Sequence, residues 1–544
     1  MKTTRTTLFA AMLCLAAAIS PVSGQELIHV KGRIFESHSL LQDDVKFSSY
    51  APGMYQTETE IEAALAKGEL RILARPDLAI PAGESAVLKI VHEFSVPTAY
   101  DPPVVPEDSV HPLKPEGLST HEANFLLPPV PKQFEKREAG LILKITARLD
   151  RDGRPQATAE IQQISLVGFE DRGTPVTLEK TGPLGKEKSI PLIEASQLYP
   201  HFDRQNWSIS AADGMKFLQP SSNPKFDPEK WSLIVGQKAN GAADMDYGFV
   251  PSLFAQLEAE KVKMPDKLRP REGAPEDRQI FFTTKVIESS EPLDIPSPVL
   301  GEADLQQFVR SVNTQKHVDL LSAPSMVMRS GQQGKIEVIR EFVYPTDYEA
   351  PEIPEIQNPV SKPDFGARPR KKRLGERISE HRVLDTFPVT PSKPVAFETE
   401  SLGVMFQVVA KSQGDGTISL QMSPQVVEQA GFFNFGQPIV LPDTGPLGKT
   451  RLITLSENRV ESPVFRRRKM EAHVRLPDGA SYVFGGLVTT DRQSVQDKVP
   501  ILGDLPIIGR AARSEMELEV HRYLYFIVTA QEIDPAGLPI RKSD

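Results

Sequence analysis

The sequence predicts a mainly β chain with short helices (α+β), built from one antiparallel β-rich unit present in two tandem copies. Three observations carry that prediction. The stretch Pro76 to Pro103 (PDLAIPAGESAVLKIVHEFSVPTAYDPP) aligns without a gap on Pro324 to Pro351 (PSMVMRSGQQGKIEVIREFVYPTDYEAP), at an offset of 248. The match resumes at an offset of 263: Gly140 falls against Gly403, Asp152-Gly153 against Asp415-Gly416, and Gly168-Phe169 against Gly431-Phe432. The hexapeptide TGPLGK occurs at Thr181 to Lys186 and again at Thr444 to Lys449. Self-similarity at a long fixed spacing marks a repeated structural unit. The step between the offsets leaves 15 extra residues in the second copy, between Pro351 and Gly403.

Each copy follows the same order of elements. A β-branched run opens it, at Ile28 to Phe35 and Ile280 to Ile287. A helical segment follows, at Glu58 to Ala66 and Ala303 to Val312. Alternating strands come next, at Ala86 to Phe94 and Lys335 to Val343. Pro-rich, charged loops follow, Tyr100 to Gln133 and Asp347 to Pro394, too Pro-broken to lie within a sheet. Then a hairpin is predicted in each copy. Leu141 to Leu149 and Ala157 to Ser165 flank Asp152-Gly153, while Val404 to Ala410 and Thr417 to Met422 flank Asp415-Gly416. Asp-Gly between alternating apolar runs is a strong hairpin signal. The expected domains are a first, degenerate copy at 25–238, a linker at 239–277 with an amphipathic stretch near Pro251 to Val262, a second copy at 278–535 and a tail at 536–544.

The N-terminus reads as a secretory signal peptide over 1–24. Lys2 and Arg5 form a short positive region. Leu8 to Ile19 is an apolar run too short to span a bilayer, and Val22-Ser23-Gly24 offers small residues for cleavage before Gln25. Cys14, the only cysteine, lies inside that run, so a mature chain would carry no disulfide, thiolate ligand or cysteine nucleophile. The net charge of −9 gives no electrostatic case for nucleic acid. No later stretch is apolar enough for a second membrane helix, which leaves alternating membrane β-strands open.

No enzyme is predicted. HExxH, HxxxH, GxSxG, GxGxxG and GxxxxGK[ST] patterns do not occur, so no catalytic residue, metal ligand or cofactor site is assigned. TGPLGK has two residues between its glycines where a phosphate loop needs four, and it reads as a repeated structural turn.

The most informative stretch is C-terminal. Ser481 to Val488 is a strand interrupted by Gly485-Gly486. Val499 to Gly509 spaces Pro500, Gly503, Pro506 and Gly509 three apart, which no helix interior accommodates. Arg522 to Ala530 is a closing strand of aromatic and β-branched residues. The run Lys498 to Arg510, KVPILGDLPIIGR, resembles the V-P-x-L-G-D-x-P-x-x-G signature of the bacterial secretin family, the outer-membrane proteins of type II and type III secretion. Its assembly residues would be Gly485, Gly486, Val499, Pro500, Leu502, Gly503, Asp504, Pro506 and Gly509. Leu320 to Pro324 (LLSAP) and the hairpin within Leu402 to Val426 are similar to further family segments. Departures are Ala511-Ala512 where Leu-Phe is usual, Arg340 where glycine is usual, and Ala530 in place of proline. The first copy lacks the signature.

What the resemblance implies is physical, not catalytic. Subunits of a homo-oligomeric ring would each add antiparallel strands to one β-barrel in the outer membrane, serving protein secretion or pilus-type traffic with other secretion components as partners. The basic run Arg368 to Arg373 would fall near the lumen, or form a solvated loop. A periplasmic scaffold that assembles without a pore is the alternative reading.

Overall fold

The computed structural model describes residues 26–37, 58–67, 70–103, 127–173, 175–181, 187–194, 196–213, 216–218, 231–232, 252–265, 278–352, 390–444, 450–498, 513–534 and 536–538. The first copy contributes β1 (Leu27–Ser37), α1 (Glu58–Ala66), β2 (Leu70–Pro81), β3 (Ser85–Asp101), β4 (Val130–Leu149), β5 (Pro155–Asp171), β6 (Pro175–Thr181), β7 (Glu187–Glu194), β8 (Leu198–Ser210), β9 (Lys216–Leu218), β10 (Trp231–Ser232) and β11 (Ser252–Lys261). The second contributes β12 (Gln279–Ser289), β13 (Val299–Leu300), α2 (Glu302–Asn313), β14 (Val318–Ser322), β15 (Ser325–Arg329), β16 (Gln333–Glu349), β17 (Lys393–Ser412), β18 (Thr417–Asn434), β19 (Ile439–Thr444), β20 (Thr450–Ser456), β21 (Glu461–Pro477), β22 (Ser481–Lys498) and β23 (Arg513–Ile533).

The expected strands form, and most run longer than local alternation suggests. Tertiary pairing extends them past the point where the apolar pattern fades. Both Asp-Gly turns close hairpins. The Asp150 carboxylate accepts from the backbone N–H of Asp152 and Arg154, at 2.9 and 2.8 Å. TGPLGK joins paired strand ends in each copy, Thr181 opposite Glu187 and Thr444 opposite Thr450; residues 182–186 and 445–449 lie outside the described ones.

The Pro-rich loops are shorter than expected. β3 runs to Asp101 and β4 starts at Val130, while β16 runs to Glu349 and β17 starts at Lys393. Pro345 is tolerated in β16 because the ladder slips there, between Pro345 and Asp347. The span expected as linker contains a strand: Ser252–Lys261 is β11, paired along β1 from Ser37 opposite Ser252 to Ile28 opposite Lys261. Leu253, Phe254, Ala255 and Leu257 are buried. Apolar residues at 253, 254 and 257 also fit a helical period, and the partner strand decides.

All the pairings among the described strands are antiparallel, and they build two large sheets and two separate two-stranded ones, β6-β7 and β19-β20. The first has the order β14-β12-β23-β22-β2-β1-β11-β9, with β15 also on β12 and β13 on β22. The second has the order β8-β5-β4-β3-β21-β18-β17-β16, with β10 also on β5. The main apolar core lies between them, where Ile28, Leu78 and Phe526 of the first sheet meet Leu88, Leu143 and Phe406 of the second. Within one chain neither large sheet closes into a barrel: β14, β15 and β9 at the ends of the first, and β8 and β16 at the ends of the second, each lack a second ladder partner among the described strands.

The two copies repeat the same register. Val91 faces Gly140 as Ile339 faces Gly403, and Gly140 faces Ile164 as Gly403 faces Val427. Gly168 faces His201 across a slip in the ladder, as Gly431 faces Val464 across another. In the second sheet the order is therefore one four-strand block, β8-β5-β4-β3, followed by its counterpart, β21-β18-β17-β16.

Candidate assembly site

The two blocks meet at a seam where β3, the first strand of one block in chain order, pairs with β21, the last strand of the other. Phe94 stands opposite Val464, His92 opposite Arg466 and Val87 opposite Glu471. Four charges knit the seam. Arg467 reaches Glu93 at 3.3 Å and Glu400 at 3.0 Å; Lys136 reaches Glu400 at 3.0 Å and Glu93 at 3.4 Å. Partial burial alone would lower the Lys136 ammonium, but the hydrogen bond to Glu400 and the nearby Glu93 charge outweigh it and hold it above the usual lysine range. Lys136 comes from β4 and Glu400 from β17, so the sheet curls strongly enough to bring these strands together. Phe134 and Tyr348 meet across the same curl, with ring centroids 6.3 Å apart.

His92 lies on β3 in the same seam, opposite Arg466. Partial burial, then the charges of Arg466 and Arg71, lower it to about 3. The Arg466 guanidinium donates to its Nε2 at 3.4 Å, which the neutral ring accepts.

In the first sheet the seam lies between β2 and β22, with Ala74 opposite Leu487 and Asp77 opposite Gly485. Here Gly485 and Gly486 have their place. Gly486 has φ +104, and a Cβ on it would lie 1.9 Å from the Arg75 carbonyl oxygen. A Cβ on Gly485 would lie 2.3 Å from the Tyr525 ring. The pair lets β22 slip one position against β23, between Gly485 and Leu487, while β2 passes at backbone distance. Tyr482 clamps this crossing: its hydroxyl accepts from Ala79 N at 3.1 Å and donates to Ala79 O at 2.9 Å. Burial pushes that phenol well above the usual tyrosine range.

A buried charge cluster ties the sheets together within the second copy. Arg468 on β21, 1% exposed, contacts Glu288 on β12 at 2.9 Å and Glu428 on β18 at 3.0 Å. Arg522 reaches Glu288 from the other side at 3.1 Å. At the opposite end of β12, Arg278 and Glu532 pair at 2.9 Å, with Ser412 hydrogen-bonded to Glu532. The sequence reading did not single out these residues. Arg466 to Lys469 reads as a solvated basic run, and only its place within a strand signals that its members take different faces.

The rest of the predicted motif lies outside the described residues: Val499, Pro500, Leu502, Gly503, Asp504, Pro506 and Gly509 fall between the ends of β22 and β23, which pair at Lys498 and Arg513. The basic run Arg368 to Arg373 and the N-terminal 25 residues are likewise outside them. Among the described residues no cluster of His, Cys, Asp or Glu is arranged to hold a metal ion, and no helix is long and apolar enough to cross a membrane.

Residues 381–534 match the family described as Secretin, the bacterial type II and III secretion system protein. Over 152 residues the chain is 27% identical to the secretin XcpQ of Pseudomonas aeruginosa, covering 27% of this chain and 21% of that protein. Over 140 residues it is 25% identical to a virion export protein of Enterobacteria phage I2-2, covering 26% of this chain and 29% of that protein. The chain thus spans less than a third of the length of these curated relatives. Among solved structures it is similar to the InvG secretin-domain β-barrel of the Salmonella SPI-1 injectisome, at 11% identity and a TM-score of 0.21, covering 70% of this chain and 90% of that one. It is also similar to the XcpQ secretin of Pseudomonas aeruginosa, at 16% identity and a TM-score of 0.20, covering 48% and 61%.

Proposed function

We propose that this chain is, through its C-terminal part, a member of the bacterial secretin family and a non-enzymatic, channel-forming protein of the outer membrane, serving protein secretion or pilus-type traffic. One observation carries the reading: the family match at 381–534 coincides with β17 to β23, the strands that hold the seam, the Gly485-Gly486 crossing and the hairpin bearing the signature. The physical argument supports it. A sheet with open edges exposes rows of unpaired backbone groups, and closure with further strands satisfies them, as lipid requires. Export would follow from the signal peptide over 1–24, with the copies at 25–238 and 278–535 as the assembling units.

The test is to express the chain with its own N-terminus, fractionate the envelope, extract with detergent, image the extract and record conductance in planar bilayers. Rings from the outer-membrane fraction that conduct support the reading. A soluble periplasmic species without conductance overturns it in favour of a scaffold. Replacing Gly503 and Gly509 together with valine is expected to abolish heat-resistant multimers while export persists; multimers of normal yield would remove the signature from assembly.

A further inference from the structure

We propose that one chain occupies two consecutive positions of the assembly, and that the seam inside it is the template for the seam between chains. In that arrangement β8 of one copy pairs with β16 of a second copy of this chain. The proposal rests on the self-assembly part of the reading above and gives it a partner surface and a register.

The observation is an asymmetry of covering. Apart from Leu538, the exposed large hydrophobics among the described residues are Leu320, Leu321, Val327, Val338, Ile339, Val343, Val395 and Phe397, all on β14 to β17. These strands form the leading edge of the second copy in both sheets. Their counterparts in the first copy are covered: Ala79 stands for Val327 and Val91 for Ile339, at 0% and 1% exposure against 55% and 38%. What covers the first copy is the trailing part of the second, β21 and β22. The trailing strands of the first copy, β8 and β9, lie at the opposite ends of the same two sheets. Each chain therefore has a leading edge, exposed along Gln333 to Glu341 of β16, and a trailing edge that lacks a ladder partner, displaced in the same direction in both layers. Joining unlike edges in this way is head-to-tail and repeats from chain to chain.

The internal seam fixes the register. Moving β3 onto β16 by 248 and β21 onto β8 by 263 converts the pair His92–Arg466 into Arg340–Asp203, and Val91–Arg467 into Ile339–Arg204. The charges then complement. Asp203 faces Arg340, and Arg204 stands diagonal to Glu341, as Arg467 stands diagonal to Glu93, which it contacts at 3.3 Å. Arg204, Arg340 and Glu341 are exposed in the single chain, while Asp203 is half-buried and accepts from the Gln205 amide at 2.7 Å.

The test uses the absence of cysteine after residue 14. Asp203→Cys with Arg340→Cys, and separately Arg204→Cys with Ile339→Cys, are introduced into the full chain and oxidised. Directly opposed residues of an antiparallel pair lie within disulfide reach. A ladder of dimers, trimers and higher multimers on non-reducing gels is expected. Asn206→Cys with Arg340→Cys, three positions out of register, is expected to give none. In the single-mutant series, Arg204→Glu should weaken assembly about tenfold, and adding Glu341→Arg should restore it. Cross-linked monomer alone, no ladder, or an equal ladder from the out-of-register pair overturns the proposal. Conducting rings without the ladder leave the channel reading standing and sink this edge; a ladder without conductance sinks the channel and leaves the edge.

Discussion

The two copies carry the same strands in the same register, yet they sit in different surroundings. In the first copy β2 and β3 are interior strands, with β22 and β21 beside them. In the second, the matching β15 and β16 are edges. At the other end the difference reverses. The second copy has β22, 18 residues long with the Gly485-Gly486 crossing, where the first has, among the described residues, the three-residue β9. Arg468 in the second copy is matched by Gln205 in the first, where Glu36, at the position of Glu288, pairs instead with Arg71 at 2.6 Å. Burial in such an array is set by a strand's place in the order as much as by its own residues. The copy with the complete trailing strands does the covering.

The sharpest way to break this comparison is at the crossing. Gly486→Val would set a branched side chain against the Arg75 and Pro76 backbone, at a φ of +104. A loss above about 4 kcal/mol, or failure to fold, is expected in urea denaturation. Gly83→Ala has positive φ (+91) but open space around it, and should cost only about 1–2 kcal/mol. Equal costs at the two sites would mean that backbone conformation alone, and not the approach of β2, requires Gly486.

Next is the buried cluster. Arg468→Ala takes a partner from the buried Glu288, and breaking a buried ion pair costs about 3–5 kcal/mol. The lower end is expected, because Arg522 still reaches Glu288. Gln205→Ala at the matching position should cost about 1 kcal/mol. If both substitutions cost the same, the copies are not differentiated by this cluster.

Much of this was legible in the sequence, and the reason is local. The offsets of 248 and 263 predict which residues share a register position, and the Asp-Gly pairs predict the hairpins, because adjacent strands and their turns are written in contiguous residues. Partners far apart in the chain were not legible. Nothing in Leu70 to Pro81 signals β22, and nothing in Ile28 to Phe35 signals β11, because any β-branched strand offers the same ladder of backbone groups. The charge cluster was hidden for a related reason. A basic run such as Arg466 to Lys469 tells nothing of burial until the opposite sheet brings Glu288 to Arg468.

A matched pair sharpens the comparison at smaller magnitude. Gly140 and Gly403 have φ of +142 and +128, and a Cβ on either would lie 2.3 Å from a carbonyl oxygen, of Ile90 or Val338. Gly140→Ala presses on β3, held on both sides. Gly403→Ala presses on β16, held on one side and free to shift. Losses of about 3 and about 1.5 kcal/mol are expected by calorimetry or urea titration. In the assembled multimer the two should converge if β16 becomes interior.

The smallest expected effect is on pH dependence, and it separates the seam inside the chain from the matching edge. His92 is lowered to about 3 in the folded chain, against an ordinary 6.5 when unfolded. Between those values the unfolded chain binds the proton and the folded chain does not. The stability linked to His92 is therefore complete above pH 6.5 and is lost as pH falls from there toward 3. Protonation would also remove the acceptor that Nε2 offers Arg466 and set two cations side by side. His92 is only partly buried, so water screens part of the effect, and a loss of about 1 kcal/mol between pH 7.5 and 5 is expected. His92→Gln should flatten that slope, measured as the difference in urea-unfolding free energy at the two pH values. At the matching edge position stands Arg340, whose charge does not change in this range, so Arg340→Gln should leave the slope as it is. An unchanged slope in His92→Gln would mean that the ring is hydrated in the seam, and that β3 is less covered by β21 than the pairing of Val87 to Phe94 requires.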